Sequence, residues 1–157
     1  MDNTLAKSRG KSSKASRFQQ GFFTPKNPEK YIGDVTKIRY MSSWELSVNE
    51  FFDGNKKVLK WASEEIAIPY IKPTDGKVHK YYVDYYVEYI NAAGKKVIEI
   101  IEVKPLAQTK PPKRSHKHYL YEQVTYSINM AKWEAAAKFA KHNGWTFRII
   151  TEGSIYK

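Results

Sequence analysis

At 157 residues the chain is the size of one domain, able to bury roughly 70% of its unfolded surface, and its 41% hydrophobic and 15% aromatic content supplies a core. It has no cysteine, which excludes disulfides and thiolate metal sites and leaves the redox compartment open. No apolar run nears the ~20 residues of a membrane span. The N-terminus lacks the apolar segment of a signal peptide, so a soluble cytoplasmic protein is expected. A net charge of +11 favours a polyanionic partner, nucleic acid rather than an anionic membrane, since no lysine-rich amphipathic helix stands out.

Residues 1–30 carry Lys7, Arg9, Lys11, Lys14, Arg17, Lys26 and Lys30 among serines and glycines, with almost no acids. Such a segment buries too little apolar surface to offset its ordering entropy. It reads as a flexible basic arm, either holding DNA phosphates or serving as a solubilising tail. Phe18, Phe22 and Phe23 are free to dock on the domain or on a partner. Residues 31–157 form the domain itself.

Its first helix lies within Ile38 to Phe52. Trp44, Val48, Phe51 and Phe52 recur on one face, Ser42-Ser43-Trp44-Glu45 begins it and Asp53-Gly54-Asn55 ends it. Ser42 and Glu45 match a capping box, in which the glutamate closes back on the helix start. Lys57 to Trp61 reads as a strand. Ser63-Glu64-Glu65 interrupts it, and it resumes from Ile66 to Ile71, where Pro69 argues against a central position. Asp75-Gly76 is a turn into the next strand.

Two strands follow, Tyr81 to Ile90 and Lys96 to Lys104. In the first, Tyr81, Val83, Tyr85, Val87 and Tyr89 alternate with Tyr82, Asp84, Tyr86 and Glu88; in the second, Ile98, Ile100, Glu102 and Lys104 share a face. If Ala92-Ala93-Gly94 is a three-residue loop with Gly94 left-handed, Asn91 pairs with Lys95, and Asp84 falls opposite Glu102 on a shared face. A loop one residue longer would send Asp84 to the other side. The first register gathers Asp84, Glu102 and Lys104.

After Pro105, Gln108 to Lys117 is a basic, proline-rich loop. A helical region follows, with Leu120, Val124, Ile128, Ala131, Ala135 and Phe139 on one stripe. Asn129 reads as the cap of a fresh helix after a short break, and Asn143-Gly144 closes the region. Trp145 to Ile150 is a last strand, parallel to its neighbour because a helix intervenes. The expected fold is α/β, a mixed central sheet flanked by helices in the order helix, three-strand antiparallel meander, helix, strand.

Two carboxylates beside a lysine suit phosphodiester hydrolysis. Asp84 and Glu102 are hard oxygen ligands, right for Mg²⁺ (or Mn²⁺), and Lys104 would orient the attacking water or stabilise charge growing on the phosphorane. Glu and Lys two apart on a strand are by themselves commonly a solvated ion pair. Three features weigh against that here: the apolar strand they terminate, Asp84 in a pairable strand, and the basic chain around them. Lys110, Lys113, Arg114, His116 and Lys117 are the candidate DNA contacts, since their loop leaves the same strand; their bland alternative is a solvated charge run. Tyr119 and Tyr121 are candidates to stack on bases, with helix packing the stronger expectation for at least one of them. His116 and His118 lack the third neighbour a zinc site needs, and Trp133 reads as core or a docking surface rather than a DNA wedge.

Asp84, then Glu102-Val103-Lys104, after a helix bearing Glu45 and before a helix and a strand, resembles the PD-(D/E)XK nuclease superfamily, with a restriction-endonuclease-like fold. Ser42-Ser43-Trp44-Glu45, Trp61-Ala62-Ser63-Glu64, Ile68-Pro69-Tyr70, Tyr82-Val83-Asp84 and Ile101-Glu102-Val103-Lys104-Pro105 are similar to the head-completion nuclease family of T4-like tailed phages. The serine-rich helix start with its glutamate is also similar to the TnsA-type endonuclease subunit of heteromeric transposases. The resemblance spans residues 40–151. It implies a Mg²⁺-dependent endonuclease acting on double-stranded DNA at the filled capsid, with catalytic Glu45, Asp84, Glu102 and Lys104, and with Glu45, Asp84 and Glu102 as metal ligands. Glu64 and Glu65 compete with Glu45 for the third carboxylate. Val83 stands where the superfamily often has proline, and Gln123 resembles the helix glutamine of some members, although Tyr126 follows at three residues rather than four. The resemblance further implies capsid, portal or neck partners and a place in the host cytoplasm or on the virion. The rival readings are a non-catalytic protein that holds DNA ends or plugs the portal, and a nuclease subunit of a transposase or restriction-type complex.

Overall fold

Period-two and period-3.6 patterns decide most of the architecture. The computed structural model describes residues 20–152. In chain order its elements are β1 (Gly21–Phe22), β2 (Arg39–Tyr40), α1 (Ser43–Gly54), β3 (Val58–Ser63), β4 (Ala67–Ile71), β5 (Val78–Tyr82), β6 (Tyr85–Ile90), β7 (Lys96–Val103), α2 (Tyr119–His142) and β8 (Thr146–Ile150). The central sheet has the order β3-β6-β7-β8. β3, β6 and β7 form an antiparallel meander, and β8 returns parallel to β7 after α2. This is the helix, three-strand meander, helix, strand arrangement of a restriction-endonuclease-like α/β fold. No helix among the described residues is long and apolar enough to cross a membrane.

The β6–β7 hairpin has the three-residue loop. Asn91 N–H donates to the Lys95 carbonyl at 2.8 Å, Gly94 takes φ 76°, and the pairs run from Ile90↔Lys96 to Tyr85↔Ile101. Continuing that register by one pair sets Asp84 opposite Glu102. The Asn91 side-chain oxygen locks the loop by accepting from the N–H groups of Ala93 and Lys95.

Each face of the sheet has its own core. On one, Tyr85, Val87 and Ile101 pack with Val48 and Phe52 of α1 around Trp61, which is fully buried. On the other, Ile100 packs with Trp133, Ala136 and Ala140 of α2. Phe23 and Tyr31 meet Trp61 edge-on, at centroid distances of 5.9 and 4.8 Å, so truncating Trp61 to alanine should cost about 3–5 kcal/mol.

The structure departs from the sequence reading in four places. Residues 20–30, read as the end of a basic arm, are built into the domain: β1 pairs with β2 and Phe23 is core. The buried Asp53 carboxylate accepts from the backbone N–H groups of Lys26 and Asn27 at 2.8 and 3.0 Å. Lys30 Nζ donates to the carbonyls of Asp53 and Asn55 at the α1 C-terminus, where a cation meets the negative end of the helix dipole. Lys7, Arg9, Lys11, Lys14, Arg17 and Phe18 lie outside the described residues.

The run Tyr81 to Ile90 is not one strand, and Ile66 to Ile71 does not continue β3. A separate β4–β5 ribbon is inserted between β3 and β6, and a bend at Val83-Asp84 carries the chain from one sheet to the other. Tyr81 and Val83 therefore pack on the α2 side, whereas Tyr85 and Val87 pack on the α1 side. Strict alternation of burial hid the change of face. The excursion starts at Glu64, which takes φ 54°, a left-handed conformation uncommon for a residue other than glycine, and whose N–H donates to the Asp84 carbonyl at 3.0 Å.

The third and fourth departures concern the helices. Phe51 is 50% exposed, and the buried face of α1 instead carries Val48, Asn49, Phe52 and Asp53. α2 runs unbroken through Asn129. At 24 residues it is about 36 Å long, against about 26 Å for the eight residues of β7. Its first turns therefore overhang the sheet, leaving Leu120 and Val124 of the expected apolar stripe 76% and 48% exposed.

Candidate active site

The start of α1 is capped by Ser42, and Glu45 closes back one residue further than a capping box would, on Met41. Ser42 Oγ accepts from the Glu45 N–H at 3.1 Å, and Glu45 Oε2 accepts from the Met41 N–H at 2.6 Å. The Glu45 carboxyl is nonetheless raised above the ordinary glutamate pKa. Burial is the main cause, the charges of Glu64 and Glu102 add to it, and the Met41 hydrogen bond and Lys104 oppose it. Capping thus leaves Glu45 in the electrostatic field of the strand-end groups. Tyr85 ties α1 to β6: its hydroxyl lies 2.7 Å from Asn49 Oδ1 and 3.2 Å from the Glu45 carbonyl.

Asp84 sits at the bend before β6. Its Oδ2 accepts from the Val103 N–H at 2.8 Å, a bond across the hairpin that fixes the carboxylate over the end of β7. Its pKa is raised well above the usual aspartate range, first by burial, then by the hydrogen bond and charge of Glu102, with Glu45 contributing and the Val103 N–H opposing. Two carboxylates this close, in surroundings of low dielectric, resist being charged together.

Glu102 is 4% exposed. Its Oε2 accepts from the indole Nε1 of Trp133 at 3.2 Å, so α2 orients the strand carboxylate from the far side. The Tyr81 hydroxyl is buried without a well-formed hydrogen bond; burial raises its pKa most, and the Glu102 charge follows. Lys104 is half-buried, its N–H donates to the Ile150 carbonyl at 2.9 Å, and its ammonium acts electrostatically on Glu45.

Of the expected site residues, the structure brings Asp84 and Glu102 together, with Lys104 two positions further along the same chain. Glu45 stands as a charged neighbour engaged at the helix start. Among the described residues no three acidic or imidazole side chains converge as a ready metal cage. The donor set does fit a hard divalent cation: Mg²⁺ binds through one or two carboxylates and keeps its waters, and a cation would offset the burial and the Glu102 charge that raise the Asp84 pKa. Glu64 and Glu65 are exposed; Glu64 acts on Glu45 and Glu65 on the Tyr31 phenol.

The candidate DNA contacts Lys110, Lys113, Arg114, His116 and Lys117 are all exposed. They lie in the segment between the 3₁₀ turn Leu106–Thr109 and α2. His116 Nδ1 is 2.9 Å from Glu122 Oε2, and Gln123 is exposed. Sequence reasoning missed Trp133 and Tyr85 as partners of the acidic groups. No local motif marks either residue; only the crossing of α2 over β7, and of α1 over β6, gives them their roles.

A family model described as TnsA-like endonuclease N terminal matches residues 55–152. That span contains Asp84, Glu102 and Lys104 and begins after Glu45. The head completion nuclease of Enterobacteria phage T4 is 37% identical to this chain over 142 residues, covering 86% of this chain and 92% of the relative.

Proposed function

Because the chain belongs to the T4-type head completion nuclease family, with a TnsA-like endonuclease N-terminal domain, we propose that it is a Mg²⁺- or Mn²⁺-dependent DNA endonuclease. The observation that carries this reading is the Asp84–Glu102 carboxylate pair at the end of β7, with Lys104 next along the chain. Asp84 and Glu102 would hold the metal, with Glu45 as a further carboxylate. When bound, the cation supplies Lewis-acid polarisation of the phosphate and a lowered pKa for water.

The remaining work falls to the chain's own groups. The Val103 N–H holds Asp84 Oδ2 and the Trp133 indole holds Glu102 Oε2, so both carboxylates are oriented before substrate arrives. Lys104 carries a positive charge to the strand end, where it stabilises negative charge developing on the phosphoryl oxygens. Lys110, Lys113, Arg114, His116 and Lys117 receive the flanking phosphates of double-stranded DNA. The relative's name, head completion nuclease, supports a role in completing the phage head; the proposal adds capsid, portal or neck proteins as structural partners and the host cytoplasm or the virion as the setting.

A DNA-holding plug without catalysis is the rival. An inert domain has no chemical reason to keep two buried, mutually repelling carboxylates beside a lysine. The test is plasmid incubated with wild type or Lys104→Ala, in Mg²⁺ or in EDTA. Metal-dependent nicking that the substitution abolishes is the expected result; DNA binding without cleavage by the wild type, in Mg²⁺ and in Mn²⁺, would sink it.

A further inference from the structure

Between the overhanging start of α2 and the proline-rich segment lies a cavity of about 780 Å³. That is within the range of small-molecule sites, roughly 300–1,000 Å³. Its walls include Lys110, Pro112, Lys113, Tyr121, Tyr126 and Asn129. We propose that this cavity receives one unpaired nucleotide of the DNA substrate. The proposal rests on the nuclease reading and adds a preference for DNA with a base out of the stack.

Asn129 is the first reason. It is 8% exposed, stands inside a continuous helix, and no hydrogen bond among the described residues engages its side-chain amide. The amide lines the cavity and is not among the polar atoms sealed off without a partner, so what little of Asn129 is exposed faces the cavity, where an entering group can take its hydrogen bonds. Its carbonyl oxygen and amino group offer an acceptor and donors together, the complement of a nucleobase edge. The lysine side chains and neutral faces around it are the second reason. Tyr121, Tyr126 and Pro112 present flat surfaces on which a base stacks, while Lys110 and Lys113 sit where the adjoining phosphates would pass.

Position is the third reason. Asn129 precedes Trp133 by four residues, so both lie on one face of α2, about 6 Å apart along its axis. Trp133 touches Glu102. A base in the cavity therefore belongs to a nucleotide close to the phosphate presented to Asp84 and Glu102. A base held in the duplex stack has its hydrogen-bonding edge paired and its faces covered, whereas an extruded or mismatched one offers both to a pocket.

The experiment uses the full chain in EDTA and two duplexes, one fully paired and one with a single bulged 2-aminopurine. Wild type should bind the bulged duplex about tenfold more tightly and change the 2-aminopurine fluorescence. Asn129→Ala should bring the ratio of the two affinities near one, with circular dichroism verifying the fold. As a second arm, Tyr126→Ala should lose the ratio and Tyr126→Phe keep it. Equal binding of both duplexes by wild type with unchanged fluorescence overturns the proposal, and so does a ratio that survives in both Asn129→Ala and Tyr126→Ala. Plasmid cleavage in Mg²⁺ separates the two claims: cleavage without bulge preference leaves the nuclease reading standing, and bulge preference without cleavage supports the cavity while counting against the nuclease.

Discussion

The indole N–H of Trp133 donates to Glu102 Oε2 across 3.2 Å, joining the helix that packs behind the sheet to the buried carboxylate near the end of β7. A buried carboxylate has few rotamers that keep both oxygens satisfied, so this bond selects one. One oxygen of the carboxylate is thereby committed to orientation. Groups that orient a ligand from behind typically matter 10- to 100-fold in metal affinity or activity.

Trp133→Phe keeps most of the packing against Ile100 and removes the donor. The expected outcome is a loss of about 1–3 kcal/mol of stability from the unsatisfied buried oxygen. The Mg²⁺ concentration for half-maximal cleavage should rise roughly tenfold or more, with DNA affinity in EDTA unchanged. A metal titration of cleavage beside a binding isotherm measures both. If cleavage falls while the metal midpoint stays fixed, the bond has no orienting role.

Asp84 gives a pH prediction. Its folded pKa is raised above an unfolded value near ~4. Between those two values the folded protein holds a proton that the unfolded chain has released, so stability is fully present below the unfolded pKa and declines as pH rises toward the folded one. Metal-free wild type should melt lower at pH 7.5 than at pH 5.5, and Asp84→Asn should flatten that difference and raise Tm at pH 7.5 by about 3 °C or more. Mg²⁺ should raise Tm of the wild type at pH 7.5 and not that of the variant. Differential scanning at the two pH values, with EDTA or Mg²⁺, reads all three.

The hairpin register was legible because a glycine turn and two alternating strands leave only one arrangement with apolar residues inside. Asp84, Glu102 and Lys104 follow from that register by counting. The parallel return of β8 was legible from the helix before it. The change of face at Val83-Asp84 was not, because Tyr81, Val83, Tyr85 and Val87 are buried on either side of the bend, and burial by opposite cores looks the same in sequence as burial by one. The folding of residues 20–30 was hidden for another reason. Lys26 and Lys30 read as solvated charge, but the backbone N–H of the first and the ammonium of the second dock on the α1 C-terminus, a long-range contact with no local signature. Trp133 and Asn129 are legible only as members of a helix; what each faces depends on how far α2 overhangs the sheet.

Glu45 is both a cap and a member of the acidic field, and two substitutions separate these roles. Ser42→Ala removes the Oγ acceptor and should cost about 1 kcal/mol of stability while cleavage persists. Glu45→Gln keeps an oxygen for the Met41 N–H and removes the charge. It should melt within a few degrees of wild type (roughly 1 kcal/mol) and lose activity by roughly 100-fold, the scale on which one positioned acid–base or charge-stabilising group acts. Full activity in Glu45→Gln would confine Glu45 to capping and return Glu64 to consideration, since it is the other carboxylate in the same field.

The basic segment makes its prediction through salt. Lys113 and Lys117 are exposed and form no ion pair among the described residues, so a phosphate bound by either replaces condensed counterions instead of a protein carboxylate. Each phosphate contact contributes about 0.9 to the slope of log affinity against log salt on duplex DNA. Lys113→Ala should therefore lower the slope by about 0.9, and Lys113→Ala/Lys117→Ala by about 1.8, weakening paired duplexes of different sequence to the same extent. His116 differs, because its Nδ1 already meets Glu122: His116→Ala should shift the slope less than either lysine. Fluorescence anisotropy from low to moderate salt in EDTA gives the slopes directly. A double variant with the wild-type slope would move the DNA track away from this segment, to another basic face of the domain.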